Sequence, residues 1–485
     1  MSHSGKDKKI IIVGAGPAGI AAASKLFESG FKNVKILEAE DRIGGRVFTT
    51  EFGNYSVDLG GQWVHGEKSN VAFELAYPLG LLEKQDDCDA KHGLIFLDSK
   101  GNDLKNDVDE KIRIFFDKHM SGEVFDENAP YKSIGEYIEQ KFEEEFQNDS
   151  EILYDKSKYL HHFEVNILGG KPAKTWRDIS LINHEAFKDC EGDNRINWKT
   201  KGYSTILDIL MKRYPNRENE LPVIWNTDLN SEVISIDYFD NFEGSLVMIT
   251  TAKGKIYKAN HVIVTIPLGV LKEKHKLLFI PPLPENKAKS IEALGFGNAG
   301  KVYLLYDKPF WQLGDKTSMH YAFMWNDAER KAIEAEPEKM WMLGTPGAVT
   351  VEHKPNLLEL YIAGEYAKVM EQVAEDKVFA QAQELIKQFM GKKFDVTKPI
   401  SMLRTQWQMN PHFRGTISYR SVETESRKVY PNALEEPITL DNLKILFAGE
   451  ATSQHRYATV DGAITSGWKA ADRLINFYEN LSYNK

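Results

Sequence analysis

The opening of the chain constrains its fold more than any other segment. The apolar run Ile10–Val13 predicts a strand that is buried on both faces. The glycine-rich turn GAGPAG at residues 14–19 follows, and an alanine-rich stretch then predicts a helix through about Ser29, ended by Gly30. A second apolar strand leads directly into Glu38. Strand, helix and strand in this order predict a βαβ unit with parallel strands.

The glycines of this turn and the acidic residue beyond the second strand are typical of a dinucleotide-binding fold. Gly14 permits the tight turn, Gly16 lets a pyrophosphate approach the backbone, and Gly19 lets the helix pack close to the strand. Ala18 belongs to the same turn, where the helix N-terminus presents free N–H groups to phosphates. Glu38 is placed to accept hydrogen bonds from ribose hydroxyls, and its charge repels a 2′-phosphate, which disfavours NADP.

Charge and cysteine content exclude several other classes of protein. The chain has 61 Lys and Arg against 71 Asp and Glu, a net charge of −10. This balance argues against non-specific nucleic-acid binding, because such binding requires a cationic surface that replaces phosphate counterions. It suits a cationic ligand, and it is also an ordinary means of staying soluble. Cys88 and Cys190 provide neither a disulfide framework nor a zinc cluster, which fits a reducing compartment.

The sequence carries no recognisable targeting or membrane signal. The N-terminal segment is polar, and no apolar run approaches the length of a signal peptide or a membrane span. The last three residues, Tyr483-Asn484-Lys485, are not a peroxisomal signal. We therefore expect a protein of the cytoplasm, or else of the nucleus, that binds neither membrane nor nucleic acid and is a monomer or a weak homodimer.

The rest of the chain alternates between two kinds of segment, those with apolar strand patterns and those that mix strands with charged helices. Strand-like alternation returns within residues 221–265, and a buried strand followed by a helix from about Gly462 to Tyr478 closes the sequence. Residues between these parts mix strands with charged helical stretches. We predict an α/β fold in which a discontinuous Rossmann-like cofactor domain is interleaved with an α+β substrate-binding domain. The cofactor domain is predicted at residues 8–85, 201–290 and 400–478, and the substrate-binding domain at residues 86–200 and 291–399.

A second motif favours FAD over NAD. Residues 38–46, EAEDRIGGR, resemble the second signature of FAD-binding proteins of the glutathione-reductase type, in which Arg46 approaches the pyrophosphate. From Lys8 to about Tyr478 the chain resembles the flavin-dependent amine oxidases, and among them the animal polyamine oxidases that act on spermine and N1-acetylated polyamines. The resemblance implies an FAD-binding domain of the glutathione-reductase type.

Two sequence blocks that carry this resemblance imply residues at the reaction centre. In the block LGGQWVHG, Gln62 and Trp63 are expected to contact FAD. His65 in the same block is expected to face the substrate, where a neutral imidazole can accept a hydrogen bond or a proton. In the block GFGNAGKVYL, the resemblance implies that Lys301 holds a water bonded to flavin N5 and aids reoxidation by O2. The predicted catalytic residues are therefore Lys301 and His65.

Further blocks imply the remaining contacts with FAD. Glu450 is expected on the ribityl–pyrophosphate part, and Thr459 and Val460 at the pyrimidine edge of the flavin. The helix that follows directs its dipole at N1 and C2=O, where negative charge develops on reduction. Val233 corresponds to the residue whose backbone contacts adenine, and Trp407 belongs to the family pattern QWxxNPxxRG.

The chain also departs from the family pattern. The usual Gly-Ser-Tyr-Ser is Gly-Thr-Ile-Ser at residues 415–418, and the two tyrosines that enclose the amine in monoamine oxidases correspond to Ile417 and Thr459. No cysteine lies in the region where monoamine oxidases attach their flavin. We therefore expect non-covalent FAD and a substrate other than a monoamine.

The resemblance implies a complete reaction. Hydride leaves the carbon next to a secondary amine of spermine or an N1-acetylated polyamine for flavin N5, the imine hydrolyses to amine plus aldehyde, and O2 reoxidises the flavin to give H2O2. Alternatives are a lysine demethylase or other amine oxidase of the same superfamily, and a flavin-binding protein that has lost turnover. A flavoprotein desaturase or monooxygenase shares only the nucleotide motif.

One acidic segment bears on substrate approach. Residues 136–151 contain seven acidic residues and one lysine, which predicts a solvated helix face. A further hypothesis is that carboxylates around Glu143–Glu145 lie near the mouth of the site and steer a polycation towards it.

Overall fold

The chain alternates strands and helices throughout the part described in the computed structural model, residues 5–84, 92–120, 130–182, 186–239, 246–312, 318–438 and 442–483. The strands are β1 (Lys9–Val13), β2 (Asn33–Leu37), β3 (Thr49–Phe52), β4 (Tyr55–Asp58), β5 (His92–Asp98), β6 (Thr227–Asp228), β7 (Val233–Asp237), β8 (Val247–Thr251), β9 (Ile256–Ala259), β10 (His261–Val264), β11 (Phe279–Ile280), β12 (Gly295–Gly297), β13 (Ala299–Leu305), β14 (Ser318–Met324), β15 (Gly347–Val351), β16 (Lys354–Ala363), β17 (Ser401–Arg404), β18 (Ile417–Tyr419) and β19 (Ile445–Phe447).

The α-helices are α1 (Pro17–Glu28), α2 (Val71–Ala76), α3 (Asn106–Met120), α4 (Ile134–Phe146), α5 (Ser150–Tyr154), α6 (Lys156–Gly170), α7 (Thr205–Leu210), α8 (Leu268–Leu278), α9 (Glu285–Ala293), α10 (Asp327–Glu334), α11 (Glu365–Gln372), α12 (Glu375–Met390), α13 (Val422–Arg427), α14 (Pro431–Glu435) and α15 (Val460–Tyr483). Short 3₁₀ turns lie at Gly5–Asp7, Tyr77–Leu79, Trp176–Asp178, Arg217–Asn219, Ile224–Asn226, Pro337–Gly344 and Glu450–Thr452.

A five-stranded parallel sheet contains the predicted βαβ unit. Its strand order is β19-β10-β1-β2-β6, and every pair in it is parallel. The central strand β1 is buried from Ile10 to Val13, as its continuous run of apolar side chains predicts. The helix predicted to end near Ser29 is α1, which has Gly16 at its N-cap and Pro17 in its first turn. The opening βαβ unit is therefore confirmed.

The first and last helices of the chain pack closely against each other. The small residues Ala18, Ala463 and Ala471 belong to the core they share with the parallel sheet. In α15, a Cβ added at Gly467 would lie 2.1 Å from the carbonyl oxygen of Ala18, so the backbones approach too closely for any larger residue. The two ends of the sequence thus build one side of the same sheet.

A second sheet extends this part of the molecule. Its order is β11-β7-β8-β9, with β7, β8 and β9 antiparallel and β11 parallel to β7. Apolar residues of β7 and β8, such as Ile236 and Ile249, pack with Val262 and Val264 of β10 in one buried core. The sheet therefore covers the parallel sheet on the face opposite α1.

A six-stranded mixed sheet forms the other large layer. Its order is β17-β13-β16-β15-β14-β5. The long strand β16 pairs antiparallel with β13, so that Lys301 lies opposite Tyr361 and Tyr303 lies opposite Glu359. One face packs on a core that includes Trp311, which is buried with other large aromatic residues. Residues opposite one another, and residues two apart on a strand, share a face of a sheet. Lys301, Tyr303, Glu359 and Tyr361 therefore all lie on the face opposite the core that contains Trp311.

The domain boundaries remain a prediction. The strands of the two large sheets can be compared with the predicted ranges. The parallel sheet takes strands from within residues 9–37, 227–264 and 445–447. The six-stranded sheet takes strands from 92–98 and 299–363, and also β17, although residue 400 onwards was assigned to the cofactor domain.

The acidic segment lies on helix α4 and its neighbours. Ile138, Phe142 and Phe146 are buried at helical spacing, and the acidic residues occupy the opposite face. Glu143 pairs with a lysine, as do the acidic residues 144 and 145. The prediction of a solvated helix face is confirmed.

Two wider properties hold for the part of the chain that the structure describes. None of its helices is both long enough and apolar enough to cross a membrane. Within the same ranges, no group of three or more His, Cys, Asp or Glu side chains is arranged to hold a metal ion.

Candidate active site

A cavity of about 1370 Å³ lies between the parallel sheet and the six-stranded sheet. All of the predicted site residues except Gly19 line it: Gly14, Gly16, Ala18, Glu38, Arg46, Gln62, Trp63, His65, Val233, Lys301, Trp407, Glu450, Thr459 and Val460. Gly19 is not among the lining residues, and a Cβ there would be 2.0 Å from the carbonyl oxygen of Gly14. It serves the close helix–strand packing predicted for it, without lining the cavity.

The glycine-rich turn forms one end of the cavity. Gly14 has a φ of 106°, a backbone conformation that favours glycine, and no atom lies within 4 Å of a Cβ placed on Gly16. Glu38, which is 6% exposed, accepts hydrogen bonds from the backbone N–H groups of Ala15 at 2.6 Å and Glu40 at 2.8 Å. Burial raises the pKa of the Glu38 carboxyl above its usual value. The turn therefore leaves room for a ligand and holds its acidic residue in place.

An ion pair joins the N-terminal and C-terminal parts of the site. Arg46 donates to Glu450 at 2.9 Å and also to the carbonyl oxygen of Thr416. The other carboxylate oxygen of Glu450 accepts from the backbone N–H of Ala458 at 2.7 Å and from the hydroxyl of Ser418. This network brings together two predicted cofactor residues that are 404 positions apart in the sequence.

Lys301 is buried in the cavity wall with its ammonium group fully engaged. It is 6% exposed, and its Nζ donates to the carbonyl oxygens of Asp58 at 2.9 Å and Gly60 at 3.0 Å and to Oε1 of Gln62. Nζ also lies 5.9 Å from the centre of the Trp63 ring. Burial lowers the pKa of Lys301. Because an ammonium group has three N–H donors, the predicted bond to a water would have to replace one of these three.

His65 faces the cavity in a fixed tautomer. Its Nδ1 lies 2.7 Å from the carbonyl oxygen of Asn194, which can only accept, so Nδ1 carries the proton. The neutral ring then has a free lone pair on Nε2. The ring is exposed to the cavity, and desolvation by the surrounding protein lowers the pKa of His65. The side chain can therefore accept a hydrogen bond from a ligand at neutral pH.

The start of α15 closes another part of the wall. The hydroxyl of Thr459 accepts from the backbone N–H of Gly462 at 3.1 Å and so caps the helix whose first residue is Val460. Trp407 is buried and donates from Nε1 to the carbonyl oxygen of Leu59 at 3.0 Å. These contacts hold the helix N-terminus and an aromatic ring at the cavity in defined positions.

A buried carboxylate beside Lys301 is missing from the sequence-based prediction. Glu359 is 1% exposed and lines the cavity. Its Oε2 accepts from Nε2 of Gln62 at 3.0 Å, and its Oε1 has no hydrogen-bond partner among the described residues. A signal did exist in the sequence, because Glu359 interrupts the apolar run of residues 357–363 between Leu358 and Leu360.

A polar part of the wall was also not predicted. It is lined by Asn166, Lys171, Asp189, Arg195 and His320. Burial lowers the pKa of Lys171 to about 8 and that of His320 to about 4. The guanidinium of Arg195 lies 5.0 Å from the centre of the Trp63 ring. Neither cation forms an ion pair with the residues in the described ranges, so this part of the cavity, called the cationic wall below, offers donors to a ligand.

The acidic residues expected to steer a polycation lie elsewhere. Glu143–Glu145 are not among the residues that line the cavity, and each is paired with a lysine on the surface. The geometry gives no support to the steering hypothesis for these three residues.

The site has the features that FAD requires. The open space at Gly16 lies at the N-terminus of α1, where a pyrophosphate binds in dinucleotide folds. The buried Nε1 of Trp63 has no partner among the described residues, which leaves a donor for a ligand. Arg46, Glu450 and the capped start of α15 complete a wall with charged and polar groups. The residues present therefore fit FAD.

Comparison with known proteins agrees with this fit. Residues 17–475 match the family of flavin containing amine oxidoreductases. The human peroxisomal N(1)-acetyl-spermine/spermidine oxidase is 28% identical over 97% of this chain and 95% of its own length. The human lysine-specific histone demethylase 2 is also 28% identical, over 97% of this chain but 54% of its own length.

A solved structure supports the fold. A double mutant of putrescine oxidase superimposes with a TM-score of 0.69 over 97% of this chain and 99% of its own, at 18% identity. This likeness confirms the predicted α/β architecture with a Rossmann-like FAD-binding part. Together with the family match over nearly the whole length, it leads to one conclusion. The chain belongs to the flavin containing amine oxidoreductases and is an FAD-dependent amine oxidase.

Proposed function

We propose that this amine oxidase acts on secondary amines of polyamines, either spermine or an N1-acetylated polyamine. The observation that carries the proposal is the set of hydrogen-bonding groups around Lys301. His65 offers a lone pair on Nε2, and Glu359 offers an unpaired carboxylate oxygen in the same cavity. A substrate with more than one nitrogen can use both acceptors, whereas a monoamine can use only one.

The protein residues have distinct roles in this proposal. When bound, FAD would supply the acceptor for a hydride from the carbon next to the nitrogen and would pass the electrons to O2; water would hydrolyse the resulting imine, so that the products would be H2O2, an amine and an aldehyde. His65 accepts a hydrogen bond from the reacting nitrogen and keeps it oriented. Lys301 fixes Gln62 and the backbone of residues 58–60, and its charge stabilises anionic character during reoxidation by O2.

The predicted contacts with FAD form part of the same proposal. Gly14, Gly16, Ala18 and Arg46 are assigned to the pyrophosphate side and Glu38 to the ribose. The remaining contacts are assigned to Gln62, Trp63, Val233, Trp407, Glu450, Thr459 and Val460. All of these residues line the one cavity, which supports the assignment. The absence of a cysteine from the C-terminal half of the sequence supports non-covalent binding.

The cationic wall favours an acetylated end on the substrate. Lys171 and Arg195 would repel a terminal ammonium, whereas an acetamide carbonyl oxygen can accept their hydrogen bonds. Asp189 offsets only one of the two charges. This supports N1-acetylated polyamines ahead of spermine, and it agrees with the name of the human relative.

Release of peroxide from a panel of amines tests the proposal. We expect the highest kcat/KM for N1-acetylspermine, lower values for spermine and spermidine, and the lowest for monoamines such as benzylamine. A monoamine that equals the polyamines would contradict it. If no amine of the panel bleaches bound FAD under nitrogen, the protein has lost turnover.

We further propose that the protein works in the cytoplasm as a monomer or weak homodimer. The low cysteine content, with Cys190 a free buried thiol, suits a reducing compartment. Fractionation of cells that express the chain, with sedimentation of the purified protein, tests both statements. Recovery of the chain in peroxisomes would contradict the first.

A further inference from the structure

We propose that Glu359 binds a second, protonated nitrogen of the substrate and thereby selects polyamines over monoamines. The inference rests on the proposed function, because it names the group by which the site would recognise a polyamine. It concerns a residue outside the sequence blocks that carry the resemblance described above. The observations that carry it are its position, its unpaired oxygen and the orientation of Gln62.

The register of the six-stranded sheet places Glu359 beside the reaction centre. Glu359 lies opposite Tyr303 on β13 and opposite Val349 on β15, and Val349 in turn lies opposite His320 on β14. Residues opposite one another share a face of the sheet. The face that directs Lys301 into the cavity therefore also presents Glu359, Val349 and His320 to it, and all four line the cavity.

The carboxylate of Glu359 has one oxygen left open, although the charge of Lys301 acts on it through space and Gln62 links the two groups. The carboxylate forms no ion pair with any residue in the described ranges, and its Oε1 has no hydrogen-bond donor there. The Tyr303 hydroxyl lies close enough to interact with the Glu359 carboxylate, but the carbonyl oxygen of Asp58, at 2.8 Å, is a well-placed acceptor for its single hydrogen. A buried carboxylate oxygen without a hydrogen-bond donor is costly, so an ammonium group that enters the cavity and donates to Oε1 gains a strong and specific contact.

Gln62 shows that Glu359 acts as an acceptor. Lys301 can only donate, so the atom of the Gln62 amide next to it must be the oxygen. The amide nitrogen of Gln62 therefore faces Glu359 and donates to Oε2. The Gln62 amide thus links the ammonium group of Lys301 to the carboxylate of Glu359. It leaves Oε1 of Glu359 as the acceptor without a donor.

The chemistry decides which nitrogen Glu359 holds. The reacting nitrogen must be neutral, because its lone pair assists the departure of the hydride. Amines of this kind have pKa values near 10, so every other nitrogen of a polyamine arrives protonated at neutral pH. A protonated nitrogen a few carbons along the chain is the natural partner of a carboxylate, whereas His65, with its neutral ring, suits the reacting one.

Two isosteric substrates isolate this contact. N-propyl-1,4-diaminobutane carries an ammonium four carbons from its secondary nitrogen, and N-propylpentylamine has a methyl group in its place. For the wild type we expect kcat/KM to favour the diamine by about 10- to 100-fold, the usual range for a hydrogen bond to a charged group. Glu359→Gln should abolish most of this preference by lowering the value for the diamine alone.

Two further variants serve as references. Glu359→Asp keeps the charge and should retain part of the preference. Glu164→Gln removes a half-buried carboxylate that accepts from the backbone of Trp176 outside the cavity, and it should leave the preference unchanged. Calorimetric binding of both amines to the dithionite-reduced protein under nitrogen, which cannot oxidise them, should give the same ratios without turnover. Glu359→Gln should also bind FAD normally, as its absorbance spectrum reports.

The outcomes separate the possible failures. An unchanged preference in Glu359→Gln overturns the role of Glu359, and so does an equal loss for both amines, which would indicate a structural residue. A preference for the monoamine in the wild type contradicts the proposed function itself, whatever the variant does. A shifted pH profile with N-propylpentylamine in the variant would assign Glu359 to the reacting nitrogen and also overturn the inference.

Discussion

At the scale of single residues, Lys301 joins three parts of the site. Its ammonium group is held by two backbone carbonyls and by Gln62, which in turn contacts Glu359. A buried charge with three acceptors is both a structural tie and a fixed positive potential in the cavity. Changes at this residue should therefore affect rate and stability together.

Lys301→Met should slow both half-reactions by about 100- to 1000-fold, as removal of a positioned donor does. The free energy of unfolding should also fall by about 1–3 kcal/mol, because the buried carbonyl oxygens of Asp58 and Gly60 and Oε1 of Gln62 lose the ammonium group that donates to them. Stopped-flow traces under nitrogen and then under oxygen separate the two half-reactions. Lys354→Met removes a nearby positive charge that does not line the cavity, and reoxidation by O2 in this variant should proceed at the wild-type rate. Wild-type rates in Lys301→Met would contradict the assignment.

His65→Ala should weaken turnover of polyamines while FAD stays bound, because the free Nε2 faces the substrate space. Desolvation lowers the pKa of His65, so the ring is neutral at neutral pH and is protonated only below its usual value near 6.5. In the wild type, kcat/KM should therefore fall as the pH drops below that value. The variant should lack this limb of the profile. Loss of flavin absorbance in His65→Ala would instead make the residue structural.

At the scale of elements, the contact between α1 and α15 fixes the shape of the FAD site. Gly467→Ala would place a Cβ 2.1 Å from the carbonyl oxygen of Ala18, in the first turn of α1. The helices would have to separate, which should destabilise the protein by about 1–3 kcal/mol and weaken FAD binding. Thr465→Ala, on the exposed face of the same helix, should change stability by less than about 0.5 kcal/mol. Thermal unfolding and the flavin content after dialysis measure both effects. Equal behaviour of the two variants would contradict this account.

The elements themselves differ in how well the sequence predicts them. The strand at Ile10–Val13 and helix α1 follow from local patterns, and both lie where those patterns predict. The last helix was expected from about Gly462 to Tyr478 and extends from Val460 to Tyr483, since Thr459 caps it earlier than the glycine suggested. Such shifts are ordinary, because the ends of a helix depend on single side-chain contacts.

At the scale of the whole molecule, buried histidines should make the protein sensitive to acid. Burial lowers the pKa of His161 to about 3 and those of His162, His261 and His320 to about 4. In the unfolded chain these rings bind protons below about pH 6.5, while in the folded protein they stay neutral. Stability should therefore fall as the pH drops from 6.5 towards 4, by up to about 1.4 kcal/mol per pH unit for each histidine.

Carboxyl groups whose pKa values burial raises oppose this trend, namely Glu38, Glu164, Glu371 and, with the largest shift, Asp58. Burial raises the pKa of Asp58 to about 6, so the folded state binds that proton more tightly and gains stability as the pH falls through 6 towards 3.8. The four histidines should outweigh these carboxyl groups. Urea unfolding at pH 7 and pH 5 measures the balance, and greater stability at pH 5 would contradict it.

The mode of FAD binding is also a property of the whole site. Ion pairs, helix N-termini and backbone groups line the cavity, and the free cysteine in the described ranges, Cys190, is not in its wall. Acid precipitation of the yellow protein should release all of its flavin as FAD. Flavin that stays with the precipitated chain would indicate a covalent bond.

Features that depend on contiguous residues can be predicted from local sequence patterns. The FAD turn at residues 14–19, the acidic Glu38 and the blocks around His65 and Lys301 are local patterns, because each requires particular residue types at fixed spacing. Only the tertiary structure placed Glu359 against Gln62, 297 positions away, and set Lys171 and Arg195 in the same cavity. These contacts depend on sheet register and on how two layers meet, and neither is encoded in the spacing of neighbouring residues.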